Sequence, residues 1–307
     1  MRSAPIPDLK SLTTEQSNPR SAQLDQLSVG EFLRVVNRED ARVARAVAKA
    51  LPQIERTINA VAPRLKRGGR LFYIGAGTSG RLGCLDASEM PPTYGVPHTL
   101  VQGIIAGGLP ALTRSQEGAE DDGTAGIRDI KERKIGKRDA VIGLSVSGRA
   151  RYVREALGEA RKRGAFTACI TCNRNSALVE CADVAIVAET GPEVVTGSTR
   201  MKAGTAQKMI LNMISTGCMV QLGRVKGNRM VDLQIKCEKL FERARNLVME
   251  ETGCDMGHAS AALKACGGSV RKAIASVLGS SSRNGTRVAA KHQRAENARK
   301  RQRRAQR

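Results

Sequence analysis

The sequence predicts an α/β protein: a parallel five-stranded sheet flanked by helices, with a small C-terminal helical subdomain. Three observations predict it. Short apolar runs at 71–75, 100–106, 140–145, 166–171 and 184–188 alternate with helical stretches at 80–90, 110–133, 149–163 and 175–181, the rhythm of βαβ units. Glycine- and hydroxyl-rich turns follow several of these runs, at the strand ends where parallel sheets bind ligands. Beyond residue 252, Ala261, Leu263, Ala265, Ala273, Ile274, Val277 and Leu278 form an apolar set punctuated by Gly253 and Gly267-Gly268, which reads as short helices.

Taken in order, residues 1–27 are polar, with prolines at 5, 7 and 19, and read as an extended arm. Ser28-Val29-Gly30-Glu31 is a capping box, and Phe32, Leu33, Val35 and Val36 follow at helical spacing. A second helix starts near Glu39-Asp40 and carries Val43, Val47, Leu51, Ile54, Ile58 and Val61 on one face, with Pro52 expected to kink or divide it. After the fifth strand, Gly191 to Gly204 forms a loop rich in Gly, Ser and Thr. It opens a helix in which Ala206, Met209, Ile210, Met213, Ile214, Gly217 and Val220 share a face, and another helix follows around 235–250. The expected division is an arm at 1–27, an α/β domain at 28–235, a helical subdomain at 236–282 and a basic tail at 283–307.

Composition narrows the function. Aromatics are 2% of the 307 residues and Trp is absent, which argues against base-stacking platforms for single-stranded nucleic acid. The net charge is +22, and the ten Lys/Arg and one Glu between Arg283 and Arg307 supply +9 of it. That low-complexity run reads as a disordered appendage, and any nucleic-acid or polyanion contact through it is expected to be non-specific. No apolar run reaches membrane-spanning length and the first twenty residues lack a signal-peptide core, so the chain reads as cytoplasmic. Eight cysteines without framework spacing fit reduced thiols. Cys169-Ile170-Thr171-Cys172 lacks the second pair of a zinc site and the helix N-terminus of a redox motif, and His98, His258 and His292 suggest no metal cluster.

The chemistry centres on the stretch from Arg70 to Thr93. A strand, the turn Gly75-Ala76-Gly77-Thr78-Ser79-Gly80 and a helix start build an anion site from backbone N–H groups. The turn fits the dinucleotide pattern, yet the second strand ends Ile105-Ala106-Gly107-Gly108 without the ribose-binding carboxylate, and no Walker lysine is present. A second hydroxyl loop, Ser145-Val146-Ser147-Gly148, ends the third strand. Either loop alone could be a cap and a turn, but the pair at matching positions points to one phosphate. The third loop gathers Glu193, Ser198, Thr199, Arg200 and Lys202: a carboxylate for sugar hydroxyls, cations for anionic charge, or simply an N-cap.

Among carboxylates, Glu89 precedes Pro91 and is expected at the C-terminal end of its helix. There the helix dipole and Asp86, one turn back, favour a carboxyl that keeps its proton, as a general acid must. Ten residues of helix put it about 15 Å from the Ser79 loop, a reach that suggests a site shared with a second subunit. The cluster Glu117-Gly118-Ala119-Glu120-Asp121-Asp122 reads, by spacing alone, as a solvated helix end.

These residues resemble a known family. GAGTSGRLGCLDASEMPPTYGV, VQGIIAGG, EGAEDD, SVSGR and ETGPEVVTGSTRMKAGTAQKMILNMISTG are similar to the N-acetylmuramic acid 6-phosphate etherases, phosphosugar-binding α/β proteins of the sugar isomerase (SIS) superfamily. The resemblance runs from about Leu12 to Gly279 and includes a C-terminal region of ubiquitin-associated type; the tail lies outside it. It implies a cofactor-free lyase of cell-wall amino-sugar recycling that cleaves a D-lactyl ether by syn elimination followed by hydration, and a homodimer. It further implies Glu89 and Glu120 as catalytic acid and base. Thr78, Ser79, Ser145, Ser147 and Gly148 would hold the phosphate, with Glu193, Ser198 and Lys202 near the sugar. The chain departs from the family where SGRTP is usual, carrying Arg149-Ala150-Arg151, and has Met90 where Cys is common. The related glucokinase regulatory protein shares GAGTSGR and GSTRMK, which leaves a sugar-phosphate sensor as the competing reading.

Overall fold

Three helices lead into the sheet: α1 (Val29–Asp40), α2 (Val43–Ala48) and α3 (Leu51–Lys66). The computed structural model describes residues 8, 11–230, 235 and 238–279, so the basic tail at 283–307 lies outside the described residues. The Ser28–Glu31 capping box forms, with the Ser28 amide donating to Glu31 Oε2 at 2.9 Å. Pro52 falls in the first turn of α3, where its missing N–H costs nothing, so the expected helix is divided before it rather than kinked. The N-terminal segment is no free arm. Leu12, Thr14 and Asn18 are buried, and short 3-10 turns at Thr13–Glu15, Pro19–Ser21 and Leu24–Gln26 lay it over later loops. Asn173 Nδ2 donates to Thr14 Oγ1, Asn18 Nδ2 to Pro192 O and Ser21 Oγ to Val194 O.

The sheet holds β1 (Leu71–Gly75), β2 (Val101–Ile105), β3 (Ala140–Leu144), β4 (Phe166–Thr171) and β5 (Val184–Val187), all parallel, in the order β2-β1-β3-β4-β5. Every residue of β1, β3 and β4 is buried, as a sheet covered on both faces requires. The chain runs one way from β1 to β2 and the other way from β2 to β3, so β1 and β3 flank the topological switch point. Right-handed crossovers then send α4 (Gly77–Tyr94) to one face and α5 (Gly123–Glu132) and α6 (Arg151–Lys162) to the other. Phe72, Ile74, Ile130, Val141, Tyr152, Val153 and Leu157 form one core with α5 and α6. On the opposite face a Cβ at Gly83 of α4 would lie 2.9 Å from the Tyr73 Cβ, so glycine lets this helix sit directly on β1. α7 (Lys202–Gln221) completes the unit, packed along α3.

Three expectations are corrected. No continuous helix spans 110–133: Gly118 in the left-handed region (φ 71°) separates a 3-10 turn at Leu109–Leu112 from a second at Ala119–Asp121, and α5 starts afresh at Gly123, capped by Asp122 accepting from Ala125 N. Residues 175–181 hold only a 3-10 turn, Val179–Cys181. And α4 does not end at Pro91. It continues through both prolines to Tyr94, its last turns held by the burial of Met90, Pro91 and Tyr94.

The described residues fall into two compact units: those up to Gly223 apart from Pro92–Gly95, and Pro92–Gly95 with those from Arg224 to Gly279. The second holds an antiparallel pair, β6 (Val225–Lys226) and β7 (Arg229–Met230), then α8 (Glu238–Thr252), α9 (Met256–Ala265) and a helical run at 270–279. Its core is Ala244, Leu247, Val248, Ala259, Leu263, Val270, Ala273 and Ile274. Ala261, Ala265 and Leu278 of the anticipated set face outward.

Candidate active site

Gly75 pairs in register with both Ile105 and Leu144, so the loops leaving β1 and β3 emerge side by side. The first enters α4 immediately at Gly77, whose φ of 53° turns the chain from strand to helix and presents Thr78 in the opening turn. Thr78 is half-buried, with no protein partner for its hydroxyl among the described residues. Ser79 is buried and donates to Gln207 Oε1 of α7 at 2.8 Å, so its hydroxyl ties two helix N-termini together. A Cβ on Gly204 would lie 3.7 Å from the Thr78 methyl, which brings the third loop's helix beside the first.

In the second loop Ser145 Oγ accepts from Gly148 N at 3.1 Å, and Ser147 Oγ accepts from Arg149 N at 3.3 Å. Both hydroxyl protons stay available to an anion. Gly148 has φ 70°, and a Cβ there would fall 1.5 Å from Ser176 Oγ, so only glycine fits. In the third loop Ser198 is half-buried and its hydroxyl is without a protein partner among the described residues.

Glu193 and Lys202 sit elsewhere than their residue types suggest. Glu193 is fully buried and accepts from Lys202 N (3.0 Å) and Ala203 N (2.9 Å), capping α7 with both carboxylate oxygens. Burial raises its pKa, and those two amides oppose the shift. Lys202 is also fully buried, its Nζ donating to Glu39 Oε2 at 2.6 Å. Glu39 accepts in addition from Arg20 Nη2 (3.2 Å) and Asn18 Nδ2 (2.9 Å). Despite its burial, this set of partners holds the Glu39 carboxyl down at about 2. Both predicted sugar contacts are therefore committed to protein partners.

Glu120 lies on the short turn Ala119–Asp121 and, with Ala76, Gly77 and Arg81, lines a cavity of about 200 Å³ beside the first glycine loop. Its side chain is exposed at the rim of this cavity, where partial desolvation by the wall raises its carboxyl above the usual range and the charges of Asp121 and Glu117 add to the shift. A carboxylate so placed is a stronger base than one without charged neighbours. Glu89 does not line this cavity: it lies exposed on α4, ten residues beyond Ser79 and about 15 Å away along the axis. Asp86 is turned from it into the seam between α4 and α7, accepting from Asn212 Nδ2 (2.7 Å) and Ser215 Oγ (3.2 Å). Neither premise of the sequence argument for Glu89 is present, since the helix continues past it and Asp86 faces inward.

Cys169 and Cys172 are buried, which pushes both thiols up to about 12, so neither is a thiolate nucleophile. Among the described residues no group of three or more His, Cys, Asp and Glu could hold a metal ion, and no helix is long and apolar enough to cross a membrane. The spacing gave no sign of Gln207, Glu39 or Arg81, because each acts through a partner distant in sequence.

Two family patterns match the chain: the glucokinase regulatory protein N-terminal SIS domain over residues 53–160 and the SIS domain over residues 127–216. The chain is 54% identical over 271 residues to an N-acetylmuramic acid 6-phosphate etherase of Symbiobacterium thermophilum, covering 88% of this chain and 90% of that one. It is 50% identical over 281 residues to one of Clostridium beijerinckii, with 92% of each covered. A Klebsiella aerogenes etherase is 50% identical over 271 residues, with 88% and 90% covered. The solved phosphoheptose isomerase of Francisella tularensis is 16% identical over 64% of this chain and 100% of its own, with a TM-score of 0.47.

Proposed function

The chain belongs to the family of N-acetylmuramic acid 6-phosphate etherases, and from that premise we propose that it is a lyase acting on the C3 D-lactyl ether of N-acetylmuramic acid 6-phosphate. The products are N-acetylglucosamine 6-phosphate and D-lactate, in the recycling of cell-wall amino sugars. The single observation carrying this reading is the in-register pair of β1 and β3. It sets two hydroxyl-bearing glycine loops side by side, next to the cavity where Glu120 is found.

The phosphate is held by Thr78 and the Ser79 backbone amide on one loop, the Ser79 hydroxyl being given to Gln207, and by Ser145, Ser147 and Gly148 on the other, with helix N-terminal amides adding donors. Ser198 reaches the sugar, while Glu193 and Lys202 fix the start of α7 rather than touching it. In the open-chain sugar the aldehyde acidifies the C2 proton. Glu120 removes that proton, its electron pair forms the C2–C3 double bond, and the C3–O bond breaks. Glu89 donates a proton to the departing lactate, and water then adds across the double bond to give the product. The chemistry asks for no cofactor.

Glu89 and Glu120 meet when Glu89 comes from a second chain. In support, α3 and α7 leave an open apolar groove of about 940 Å³ lined by Leu51, Ile54, Ile58, Met209, Met213 and Val220, a surface suited to a second copy. The seven described cysteines are free, in keeping with a cytoplasmic setting. A sensor like glucokinase regulatory protein is not favoured, because etherases match about nine-tenths of the chain at 50–54% identity.

The test is D-lactate release from N-acetylmuramic acid 6-phosphate by the wild type, Glu89→Ala and Glu120→Ala. Each variant alone is inactive. Mixed after co-refolding, random dimers carry one intact shared site in half of the population, so about a quarter of wild-type activity returns. If the mixture stays inactive while heterodimers form, the shared site is wrong; if the wild type binds substrate without releasing lactate, the sensor reading replaces the enzyme. Removing residues 283–307 leaves lactate release unchanged and abolishes any salt-sensitive retention on a polyanion column.

A further inference from the structure

The cavity beside the first glycine loop is lined by two carboxylates, Glu117 and Glu120, and by one cation, Arg81. Arg81 lies in the second turn of α4 and is half-buried. Its Nε donates to two backbone carbonyls, Ala111 O at 2.9 Å and Leu112 O at 3.1 Å, which fixes the plane of the guanidinium. Its terminal nitrogens, which carry the other four N–H groups, have no protein acceptor among the described residues. An anchored guanidinium with a free fork is pre-organised for a carboxylate, because little rotamer freedom remains to be lost on binding.

The substrate of the proposed reaction and its amino-sugar product share the phosphate, the ring carbons and the N-acetyl group. They differ at C3, where the substrate carries a lactyl group with an ionised carboxylate. That carboxylate, brought towards Glu117 and Glu120, meets like charge from two sides and needs a cation to bind at all. We propose that Arg81 is the specificity-determining counter-ion for the lactyl carboxylate, the group by which this site selects its acid-bearing substrate over its product. The inference rests on the etherase reading above. It also accounts for turnover: once the C3–O bond is broken, the carboxylate leaves with lactate, and the sugar phosphate loses its tie to Arg81.

The experiment compares two constants in wild type, Arg81→Met and Arg81→Lys. These are kcat/KM for N-acetylmuramic acid 6-phosphate and the competitive inhibition constant of N-acetylglucosamine 6-phosphate. Loss of a charge-assisted pair predicts a fall in kcat/KM of about 10- to 100-fold in Arg81→Met, with the inhibition constant within about twofold of wild type. Arg81→Lys keeps the charge without the fork and falls between. Both constants worsening together would show that Arg81 only braces the 111–112 backbone, and an unchanged kcat/KM would remove it from the site; either result overturns the proposal. If the wild type releases no D-lactate, the etherase reading fails separately. The same two ligands are then titrated calorimetrically, and a selective loss of the acid-bearing one in Arg81→Met still decides the role of Arg81.

Discussion

Replacing Glu39 by Gln tests the placement of Lys202 more sharply than replacing Lys202 itself. Lys202 is 0% exposed and its Nζ has one hydrogen-bond acceptor among the described residues, Glu39 Oε2 at 2.6 Å. Glu39→Gln removes the negative charge and leaves the ammonium buried, a break that costs about 3–5 kcal/mol. Lys202→Met removes the ammonium instead. Glu39 then keeps Asn18 and Arg20, and Arg20 is 46% exposed, so water shares the remaining charge; the cost is about 1–2 kcal/mol. The double variant buries no unpaired ammonium and should be more stable than Glu39→Gln alone, a non-additivity that a double-mutant cycle reads directly.

Thermal melts followed by far-ultraviolet circular dichroism should place Glu39→Gln about 6–20 °C below wild type. The pH dependence carries a sign. Glu39 is held at about 2 in the fold, below its ordinary carboxylate value, so its stabilisation is complete above that ordinary value and is lost as pH falls towards 2. Urea melts between pH 7 and pH 3 should show this loss in wild type and not in Glu39→Gln. A Lys202→Met variant that keeps wild-type stability but raises KM sharply would overturn this placement, since that pattern belongs to a lysine that touches substrate.

Two further outcomes are expected. Glu120 is raised above the usual carboxylate range, and as a base it works ionised, so kcat/KM should fall as pH drops through that raised value. Asp121→Asn removes one of the charges that raise it and should move the acid limb of the profile to lower pH; an unmoved limb would exclude Glu120 as the titrating base. Gly148→Ala places a Cβ 1.5 Å from Ser176 Oγ in backbone that costs a side chain about 1–2 kcal/mol. Its kcat/KM should drop, and adding Ser176→Gly, which removes both the Oγ and the Cβ that would lie 2.6 Å away, should restore little, because the backbone strain remains; full recovery in the double variant would mean that only the clash mattered.

Much of the fold was legible because burial on both faces leaves a plain signal. All five strands are found within a residue of their expected bounds, since continuous apolar runs such as Leu71-Phe72-Tyr73-Ile74 have few alternatives in an alternating chain. What failed did so for local reasons. Pro91 reads as a stop, but the burial of Met90, Pro91 and Tyr94 outweighs the lost backbone bonds. The segment 110–133 reads as helix, although Gly118 sets a left-handed turn in the middle of a polar run. The arm at 1–27 looked extended because its prolines and polar residues are typical of one. Leu12 is buried, and Thr14 and Asn18 find hydrogen-bond partners 159 and 174 residues away, beyond the reach of any local pattern.

The candidate site shows the same limit in a more instructive form. Residue type says what a side chain can bind, and the direction it points decides what it does bind. Thr78, Ser147 and Ser198 keep hydroxyl protons free at strand and helix ends, which is what a phosphosugar site uses. Glu193 and Lys202 have the same apparent credentials, and each is turned inward, one onto the amides of α7 and the other onto Glu39. Their burial still bears on function, because Ser79 is tied through Gln207 to the helix that these two hold in place. A change at Glu39, on α1, thus reaches the first glycine loop, the proposed phosphate site, by a chain of named contacts: Lys202, the start of α7, Gln207 and Ser79. Glu39→Gln should therefore lose phosphosugar affinity along with stability, whereas Glu31→Gln, on the exposed first turn of the same helix, should lose neither to a comparable degree.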